Sequence, residues 1–419
     1  MNIWSINVTL RSFMDVRLKP TKTIKEIPMK NNRELGIVVY GATGFTGRLV
    51  AEYLNKQYGV NGDVVWAMAG RSQEKLEAVR DEMGISADVP LVVADASDMN
   101  SVVAMVERAS VVLTTVGPYQ LYGNELVEAC IAAGADYVDL CGEPGWMHEM
   151  INKHNAAAQA SGARIVFSCG FDSIPFDLGV LFLQQQAQQK FGAPLPRVKG
   201  RVRAMQGTFS GGTLASFKAT MAAASKDIDL VNVLRSPFAL TPGFVGADQP
   251  SGNKALFDDS IDAWVAPFVM ASINTKNIHR SNMLLGHQYG TDFVYDEMMV
   301  IGSGEKAEQI AKASAERNPM AGDSRQPGEG PSLEERENGF YDLLIRGEGV
   351  NGEALNVAVK GDKDPGYGST SKMIAESAVC LLENPEMAGG GIWTTAPAMG
   401  SALIERLQQN AGLSFEVEA

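Results

Sequence analysis

The chain has 419 residues, of which 45% are apolar and 20% are charged, as in an ordinary globular protein with room for two domains. Its formal net charge is −13, from 36 basic and 49 acidic residues. Nucleic acids and anionic membranes both bind to basic faces, so this balance argues against a general nucleic-acid-binding or membrane-surface function. No apolar run approaches the ~20 residues of a membrane-spanning helix, and we therefore expect no transmembrane segment.

The cysteines and histidines give no sign of a disulfide framework or a metal site. Cys130, Cys141, Cys169 and Cys380 are far apart and lie in apolar or glycine-rich stretches. Buried reduced thiols are the simpler interpretation, and they suit the cytoplasm. The histidines show neither H-x-x-x-H nor H-E-x-x-H spacing, so we expect no bound metal.

Residues 1–33 show no clear hydrophobic period. They also lack the unbroken apolar core and the small-residue cleavage site of a secretory signal. We expect them to form a disordered N-terminal extension that takes no part in function.

A glycine-rich turn follows the first predicted strand, Leu35–Tyr40, and apolar residues recur at helical spacing after it. A strand, a glycine turn and a helix in this order aim the first free N–H groups of the helix at one point. A pyrophosphate fits there only if no side chain intervenes, whereas the simpler alternative is an ordinary tight turn before a helix. With the strand and the helix both in place, we predict a dinucleotide site made by Gly41, Ala42, Thr43, Gly44, Phe45, Thr46 and Gly47.

The second predicted strand, residues 64–69, leads into Gly70 and Arg71. In NAD-selective sites an acidic residue at the end of this strand holds the ribose 2′-hydroxyl, and none is present here. Arg71, Ser72 and Lys75 stand there instead, and cations and donors are what a 2′-phosphate needs. The alternative is a surface arginine and lysine on an exposed turn. Because of their position, we predict that these three residues bind NADP in preference to NAD.

Strands and helices alternate up to about residue 196, and the later strands begin near residues 91, 111, 137 and 164. This alternation predicts an α/β fold with a Rossmann-type, doubly wound parallel sheet over residues 34–196. In such sheets ligands lie outside the carboxyl ends of the strands, so the residues that follow the strands should meet in one crevice. On this basis we assign further cofactor-binding residues: Asp95, Gly117, Pro118, Tyr119, Gly142 and Glu143.

From residue 197 the pattern changes to an α+β region. Strands predicted over residues 339–346 and 354–360 pair naturally across a glycine-containing turn. We expect residues 197–361 to form a second, substrate-binding or dimerisation domain built on an antiparallel sheet. Residues 362–419 should form C-terminal helices that return to the first domain. Antiparallel sheets often expose a face or edge that can pair, so we expect a homodimer.

The motifs together resemble the saccharopine dehydrogenase-like oxidoreductases, and within them the bacterial branch of trans-acting enoyl reductases. The resemblance runs from about residue 34 to the C-terminus and rests on residues 41–47, 69–71, 116–119, 141–143, 170–175, 210–213 and 364–367. It implies an NADP-binding Rossmann domain with an inserted α+β domain and a C-terminal return. Named members of the enoyl reductase branch reduce a carbon–carbon double bond in chains carried by polyketide synthases.

The catalytic residue stays open at this stage. Short-chain dehydrogenases use Tyr-x-x-x-Lys, but no tyrosine here has a lysine four residues later. Tyr119 and Tyr122 follow the fourth strand and could donate a proton, although packing against the cofactor is at least as good an interpretation. Glu143 and Asp172 could hold the nicotinamide ribose or act as an acid, and the alternative for both is helix capping.

Two functions are compatible with these residues. The first is an NADP-dependent oxidoreductase that transfers hydride between NADPH and a small-molecule or acyl-chain substrate with a carbonyl or enoyl group. The second is a non-catalytic NADP-binding redox sensor or scaffold protein. A second domain that closes over the nicotinamide end favours the enzyme, because hydride transfer needs water excluded and the substrate held close. An open pocket lined from both domains would support turnover.

Overall fold

The computed structural model describes residues 33–60, 62–208, 211–317 and 328–418. The extension predicted over residues 1–33 therefore lies outside the described residues except for Arg33. This arginine is buried, and its guanidinium donates hydrogen bonds to the backbone carbonyls of Ala109 and Ala133. Arg33, the last residue of the predicted extension, therefore packs against β4 and the end of α5.

The described strands fall into two sheets. In chain order they are β1 (Leu35–Tyr40), β2 (Trp66–Gly70), β3 (Leu91–Val93), β4 (Ala109–Thr114), β5 (Asp136–Val138), β6 (Arg164–Val166), β7 (Arg197–Gln206), β8 (Leu256–Asp258), β9 (Ala263–Pro267), β10 (Val294–Gly302), β11 (Phe340–Glu348), β12 (Ala354–Gly361), β13 (Gly391–Trp393) and β14 (Leu413–Glu418).

Helices connect these strands. They are α1 (Phe45–Tyr58), α2 (Gln73–Glu82), α3 (Met99–Arg108), α4 (Tyr119–Tyr122), α5 (Asn124–Ala133), α6 (Pro144–Ser161), α7 (Ile174–Phe191), α8 (Gly211–Ala224), α9 (Ile228–Arg235), α10 (Ala271–Leu284), α11 (Glu305–Glu316), α12 (Leu333–Glu337), α13 (Thr370–Glu383) and α14 (Thr395–Arg406). Two π-helical turns, Pro365–Ser369 and Leu407–Ala411, precede α13 and follow α14.

Sheet A has seven strands in the order β13-β6-β5-β4-β1-β2-β3, and every described pair in it is parallel. This is the doubly wound order, in which the chain steps outward from β1 in one direction and then, from β4, in the other. The predicted Rossmann-type sheet is thus confirmed. Because β1 and β4 are neighbours, the crevice for ligands lies above their carboxyl ends.

Sheet B has the order β14-β12-β11-β7-β10-β9-β8. The sequence predicts an antiparallel sheet, but the observed sheet is mixed, because β7 and β10 run parallel with Val294 opposite Arg197. Parallel neighbours need a long crossover connection, and the chain between these strands supplies one that carries α8, α9 and α10. The other described pairs in sheet B are antiparallel.

One hydrophobic core joins the two sheets. It includes Val39 of β1, Met373 of α13 and Leu343 of β11 in a single buried cluster. Helix α7 packs directly on sheet B, since a Cβ at Gly179 would lie 3.0 Å from both Ile345 and Val359. The two sheets that flank the crevice therefore share one continuous hydrophobic core.

The last residues of the chain contribute to both sheets. Strand β13 pairs with β6 at the edge of sheet A, and β14 pairs with β12 at the edge of sheet B. Between them, α14 packs against α7 and α13. The return to sheet A therefore includes a strand as well as helices, and the chain ends in sheet B.

The described part of the chain has neither a membrane-spanning helix nor a cluster of metal-binding side chains. None of its helices is long and apolar enough to cross a bilayer. No group of three or more His, Cys, Asp or Glu side chains among the described residues is placed to bind a metal ion. The four cysteines are buried free thiols, and burial raises the pKa of each.

Candidate functional site: a cleft between the two sheets

A cleft of about 1870 Å³ opens above the carboxyl ends of the sheet A strands and reaches the elements of sheet B. One half is lined by the loops that follow β1, β2, β3, β4, β5 and β6. The other half is lined by α8, by the turn from β9 to α10, and by residues of β7 and β10. The predicted crevice thus exists, and it is walled from both sheets.

The glycine turn forms one end of the cleft. Gly41 has a φ of +88°, in the region that favours glycine, and a Cβ there would meet Val116 Cγ2 at 2.7 Å. A Cβ at Gly47 would lie 2.1 Å from the backbone oxygen of Gly41. No side chain caps α1 at Gly44, so the first N–H groups of this helix are available to an anionic ligand. A pyrophosphate group fits this cradle.

Not every residue of the predicted turn faces the cleft. Those that line it are Gly41, Thr43, Gly44, Phe45 and Thr46. Ala42 and Gly47 are buried behind them and shape the turn without forming its surface. The small size of these two residues therefore allows the start of α1 to pack closely against the backbone of the turn.

Arg71 lines the cleft directly after β2, and Lys75 lines it from the first turn of α2. Arg71 is exposed and forms no ion pair with any residue that the structure describes. Ser72 has a different position, because its hydroxyl accepts a hydrogen bond from the Lys75 backbone N–H at 3.3 Å and caps α2. Asp95 also lines the cleft, and hydrogen bonds from the backbone N–H and hydroxyl of Ser97 lower its pKa.

The turn after β4 contributes Gly117 and Tyr119, whereas Pro118 lies outside the lining. The phenol of Tyr119 accepts a hydrogen bond from the Leu140 backbone N–H at 3.0 Å. Burial, together with the neighbouring Asp139 carboxyl, raises the pKa of Tyr119 well above its usual value. The ring of Tyr119 packs against that of Trp146, with centroids 5.6 Å apart. Tyr122, by contrast, is exposed at the mouth of the cleft.

Glu143 is not placed as the sequence predicted. Its buried carboxylate accepts hydrogen bonds from the backbone N–H groups of Tyr119 and Gln120, at 2.9 and 3.0 Å, and from the Gln120 side chain. It therefore caps α4 from below and does not line the cleft. Gly142, one residue earlier, does line it. At the start of its own helix, α6, Glu143 makes no side-chain cap hydrogen bond.

Asp172 lies in the turn from β6 to α7 and faces the cleft. The capping position of α7 is occupied by the next residue, Ser173, so Asp172 does not cap this helix. Its carboxyl forms no ion pair with a described residue, and burial raises its pKa to about 6. Among the catalytic candidates from the sequence, Asp172 has the environment of a proton donor that is partly protonated near neutral pH.

The C-terminal Asp-Pro-Gly-Tyr motif supports this turn. The Thr370 hydroxyl accepts a hydrogen bond from the Phe171 backbone N–H at 2.9 Å and donates one to the carbonyl of Pro365 at 2.8 Å. Asp364 is fully buried and accepts hydrogen bonds from the backbone N–H groups of Tyr367 and Gly368. The turn that carries Asp172 is thus fixed from the far end of the chain.

The substrate-side wall was largely missed from the sequence. The sequence predicts no helix or strand in residues 225–290, yet this stretch contributes several residues to the wall: Pro267, Phe268, Val269, Met270, Ser272 and Ile273. The wall is mainly apolar and includes Met205, Phe217, Met221, Leu234, Phe268, Met270 and Met299. Helix α8 adds hydroxyl groups, and Thr213 Oγ1 lies 3.3 Å from the phenol of Tyr367.

The comparisons with known proteins agree with this geometry. Residues 37–166, which span β1 to β6, match the family model described as the saccharopine dehydrogenase NADP binding domain. The cofactor of this domain is therefore NADP. Among solved structures, the fold is similar to that of apo saccharopine dehydrogenase (L-Glu forming) from Saccharomyces cerevisiae. The TM-score is 0.52 at 11% identity, covering 92% of this chain and 100% of that one, so this likeness concerns the fold alone.

Relatives in sequence extend over nearly the whole chain. A Mycobacterium tuberculosis protein provisionally named trans-acting enoyl reductase is 39% identical over 413 residues, covering 92% of this chain and 97% of that protein. The trans-acting enoyl reductase of Mycobacterium ulcerans is 36% identical over 407 residues, covering 90% of this chain and 96% of that protein. The chain belongs to the saccharopine dehydrogenase-like oxidoreductases and groups there with the trans-acting enoyl reductases.

Proposed function

We propose that this protein reduces the carbon–carbon double bond of an α,β-unsaturated acyl substrate with hydride from NADPH. The observation that carries the proposal is the cleft, which joins the glycine turn to a largely apolar wall from sheet B. At about 1870 Å³ it exceeds the roughly 300–1,000 Å³ of an ordinary ligand pocket, and so offers room for a dinucleotide and an acyl chain together. The names of the relatives favour an enoyl substrate over a carbonyl one.

The cofactor end of the cleft has a clear division of roles. The N–H groups at the start of α1 would bind the diphosphate, and Arg71 with Lys75 would bind the 2′-phosphate. Bound NADPH would supply the hydride. The turns at Gly117 and Gly142 leave space along the sheet edge for the nicotinamide side of the cofactor.

Asp172 is the proposed proton donor. Reduction of an enoyl group adds hydride to the β-carbon and a proton to the α-carbon, so one acid is needed beside the cofactor. A carboxyl with a pKa of about 6, raised by burial, keeps part of its population protonated near neutral pH. After the transfer the carboxylate would be reprotonated from solvent through the open side of the cleft.

The apolar side chains of the wall would hold the acyl chain. Phe217 and Met221 on α8, Leu234 on α9 and Met299 on β10 converge on the cleft from three elements. Flexible methionine side chains suit a chain whose length and branching vary. An open cleft with this lining is also what favours turnover over the alternative of a non-catalytic NADP-binding sensor or scaffold protein.

The test is a substrate panel with purified protein and NADPH. Oxidation of NADPH should accompany addition of short- and long-chain 2-enoyl thioesters, with the longer chains preferred, and should not accompany addition of aldehydes or ketones of matched length. Asp172→Asn should lower kcat on the order of 100-fold or more and leave NADPH affinity unchanged. The matched control is Asp88→Asn, which removes an exposed carboxylate outside the cleft. Reduction of the ketones alone, or turnover with none of these compounds, would reject the proposal.

A further inference from the structure

Helix α10 carries an unusual set of buried polar residues. Among them, Lys276 is only 3% exposed. Its ammonium donates a hydrogen bond to the backbone carbonyl of Ser272, in its own helix, at 2.8 Å. No carboxylate of the described residues forms an ion pair with it. A buried ammonium with a single neutral partner is a costly arrangement, because burial removes its hydration without supplying a counter-charge.

A structural role does not account for Lys276. Arg280, one turn later and equally buried, donates to the carbonyls of Leu240 and Ile392, and so joins three separated parts of the chain. Lys276 makes no such long-range bond to any residue that the structure describes. Burial lowers its pKa to about 8, which is the direction expected for a cation without a compensating charge.

Lys276 lies next to cleft-lining residues of α10, although it is not itself part of the lining. Ser272 and Ile273, in the first turn of α10, both line the cleft. At 100° per residue, position 276 falls between these two on the helix surface, one turn deeper. Helical side chains lean toward the N-terminus, so the Lys276 stem runs back toward that turn. Its bond to the Ser272 carbonyl agrees with this direction and holds the ammonium against the first turn of α10, where Ser272 and Ile273 line the cleft.

The same helix is fixed against the turn that carries Asp172. The hydroxyl of Ser173 accepts a hydrogen bond from the Asn277 side-chain amide at 2.7 Å and donates one to Asn274 Oδ1 at 3.3 Å. Asn274 in turn donates to the buried carboxyl of Glu297 at 2.9 Å. These bonds hold the first turns of α10 beside the β6–α7 turn. A cation from α10 and an acid from that turn can therefore act on one substrate group.

We propose that Lys276 binds the carbonyl oxygen of the substrate's acyl group and stabilises the negative charge that develops there during reduction. The inference rests on the proposed function. Hydride adds to the β-carbon, the electron pair of the double bond moves to form the α-carbon to carbonyl-carbon double bond, and the carbonyl pair moves to oxygen. Protonation of the α-carbon then restores the carbonyl group. The ammonium exchanges its bond to the Ser272 carbonyl for one to this oxygen, which its flexible four-carbon stem allows.

The first test compares Lys276→Met and Lys276→Arg with wild type on crotonyl and 2-octenoyl thioesters. The methionine variant keeps the length of the stem and removes the charge. We expect kcat to fall on the order of 100-fold, NADPH affinity to stay within twofold, and the melting temperature to stay equal or rise, because an unpaired buried charge is lost. The arginine variant should recover part of the activity. Lys306→Met, on an exposed residue of α11 without an ion pair, is the control.

Three results would overturn the inference. The first is a kcat in Lys276→Met within threefold of wild type. The second is a loss of activity that accompanies a lower melting temperature and weaker NADPH binding, which is the result of a structural role. The third comes from a binding experiment that needs no turnover, with octanoyl pantetheine thioester titrated against the NADPH complex. The wild type should bind this thioester at least fivefold more tightly than Lys276→Met. Equal binding by the two proteins, or binding that is undetectable in both, overturns the inference. Failure of the wild type to reduce enoyl thioesters is a separate result and concerns the proposed function.

Discussion

The ring of Phe45 packs edge-on against the ring of Tyr367, with centroids 5.2 Å apart and planes at 81°. Phe45 belongs to the glycine turn, and Tyr367 belongs to the π-helical turn before α13. Gly330 completes the contact, because a Cβ there would lie 2.4 Å from Phe45 Cε1. The cradle for the diphosphate is therefore supported by residues about 300 positions later in the chain.

Gly47→Ala should abolish dinucleotide binding. The added Cβ would sit 2.1 Å from the Gly41 oxygen, and because that atom belongs to the backbone, the turn itself must move. Fluorescence titration with NADPH measures the effect, and the control is Gly389→Ala, whose Cβ would meet no atom within 4 Å. An unchanged dissociation constant in folded Gly47→Ala protein would contradict the assignment of the turn.

Arg71→Ala should weaken NADPH binding and leave NADH binding nearly unchanged. The guanidinium is exposed at the cleft and has no ion-pair partner among the described residues, so it is free to bind a 2′-phosphate. A charge-assisted hydrogen bond of about 1.5–3 kcal/mol corresponds to a loss of roughly tenfold to a hundredfold.

Titration of both cofactors against the wild type, Arg71→Ala and the surface control Arg108→Ala decides the question. Lys75→Ala should give a smaller loss than Arg71→Ala. Ser72→Ala should act mainly through the helix cap that its hydroxyl forms. Equal affinity of the wild type for NADH and NADPH would make the interpretation of Arg71 wrong.

The reaction rate should fall as the pH rises through about 6. Burial raises the pKa of Asp172 from 3.8 in the unfolded chain to about 6 in the folded protein. Well below pH 6 nearly every Asp172 carboxyl is protonated and can donate, and above pH 6 the protonated fraction declines. We therefore expect kcat to fall by up to tenfold for each further pH unit. By the same shift, this residue reduces the free energy of unfolding above pH 6, and the penalty disappears as the pH falls toward 4.

A pH–rate profile of the reduction, with Asp172→Asn beside the wild type, tests this expectation. The decline of kcat above pH 6 that we expect for the wild type should be absent from the residual activity of Asp172→Asn. A wild-type profile that is flat between pH 5 and 8 would exclude Asp172 as the donor.

Glu376→Ala should destabilise the fold strongly. The Glu376 carboxylate is fully buried between α1 and α13 and accepts hydrogen bonds from Tyr53 and Tyr58 at 2.6 Å and from Arg406 at 2.9 Å. Its removal takes this acceptor away from both phenols and from Arg406, which keeps Glu383 and the Tyr58 hydroxyl as partners. The expected loss is on the order of 1–3 kcal/mol. Urea unfolding measures the change against Glu416→Ala, an exposed position on β14. A change below about 1 kcal/mol would contradict this account.

The protein should form a homodimer in solution. Strand β8 is the edge of sheet B and exposes Leu256 and Phe257, which is the kind of apolar edge that another copy can cover. Light scattering at micromolar concentration should give twice the chain mass, and Phe257→Asp should shift it toward the monomer. A monomeric wild type would dispose of the prediction.

The sequence predicted well those features that local pattern determines. Leu35–Tyr40 has the observed bounds of β1, and the alternation of strands and helices was sufficient for the doubly wound sheet. Arg71 reached the cleft because strand ends in such a sheet meet at one edge.

What the sequence could not supply depends on partners that are distant in the chain. The parallel pairing of β7 with β10 follows from a crossover whose helices carry no distinctive pattern. Glu143 binds backbone N–H groups that local sequence does not identify as its partners. The sequence around Lys276 does not distinguish it from a surface lysine. It is the packing of α10 in the folded protein that buries the side chain and removes its hydration.

The course of the last strands has a consequence for biosynthesis. Sheet A lacks an edge strand until β13 has left the ribosome, and sheet B lacks one until β14 has followed. Neither sheet can therefore reach its full set of backbone hydrogen bonds before this late part of the chain has been synthesised. Until then β6 and β12 are open sheet edges, and a variant without β14 would leave β12 unpaired on one side.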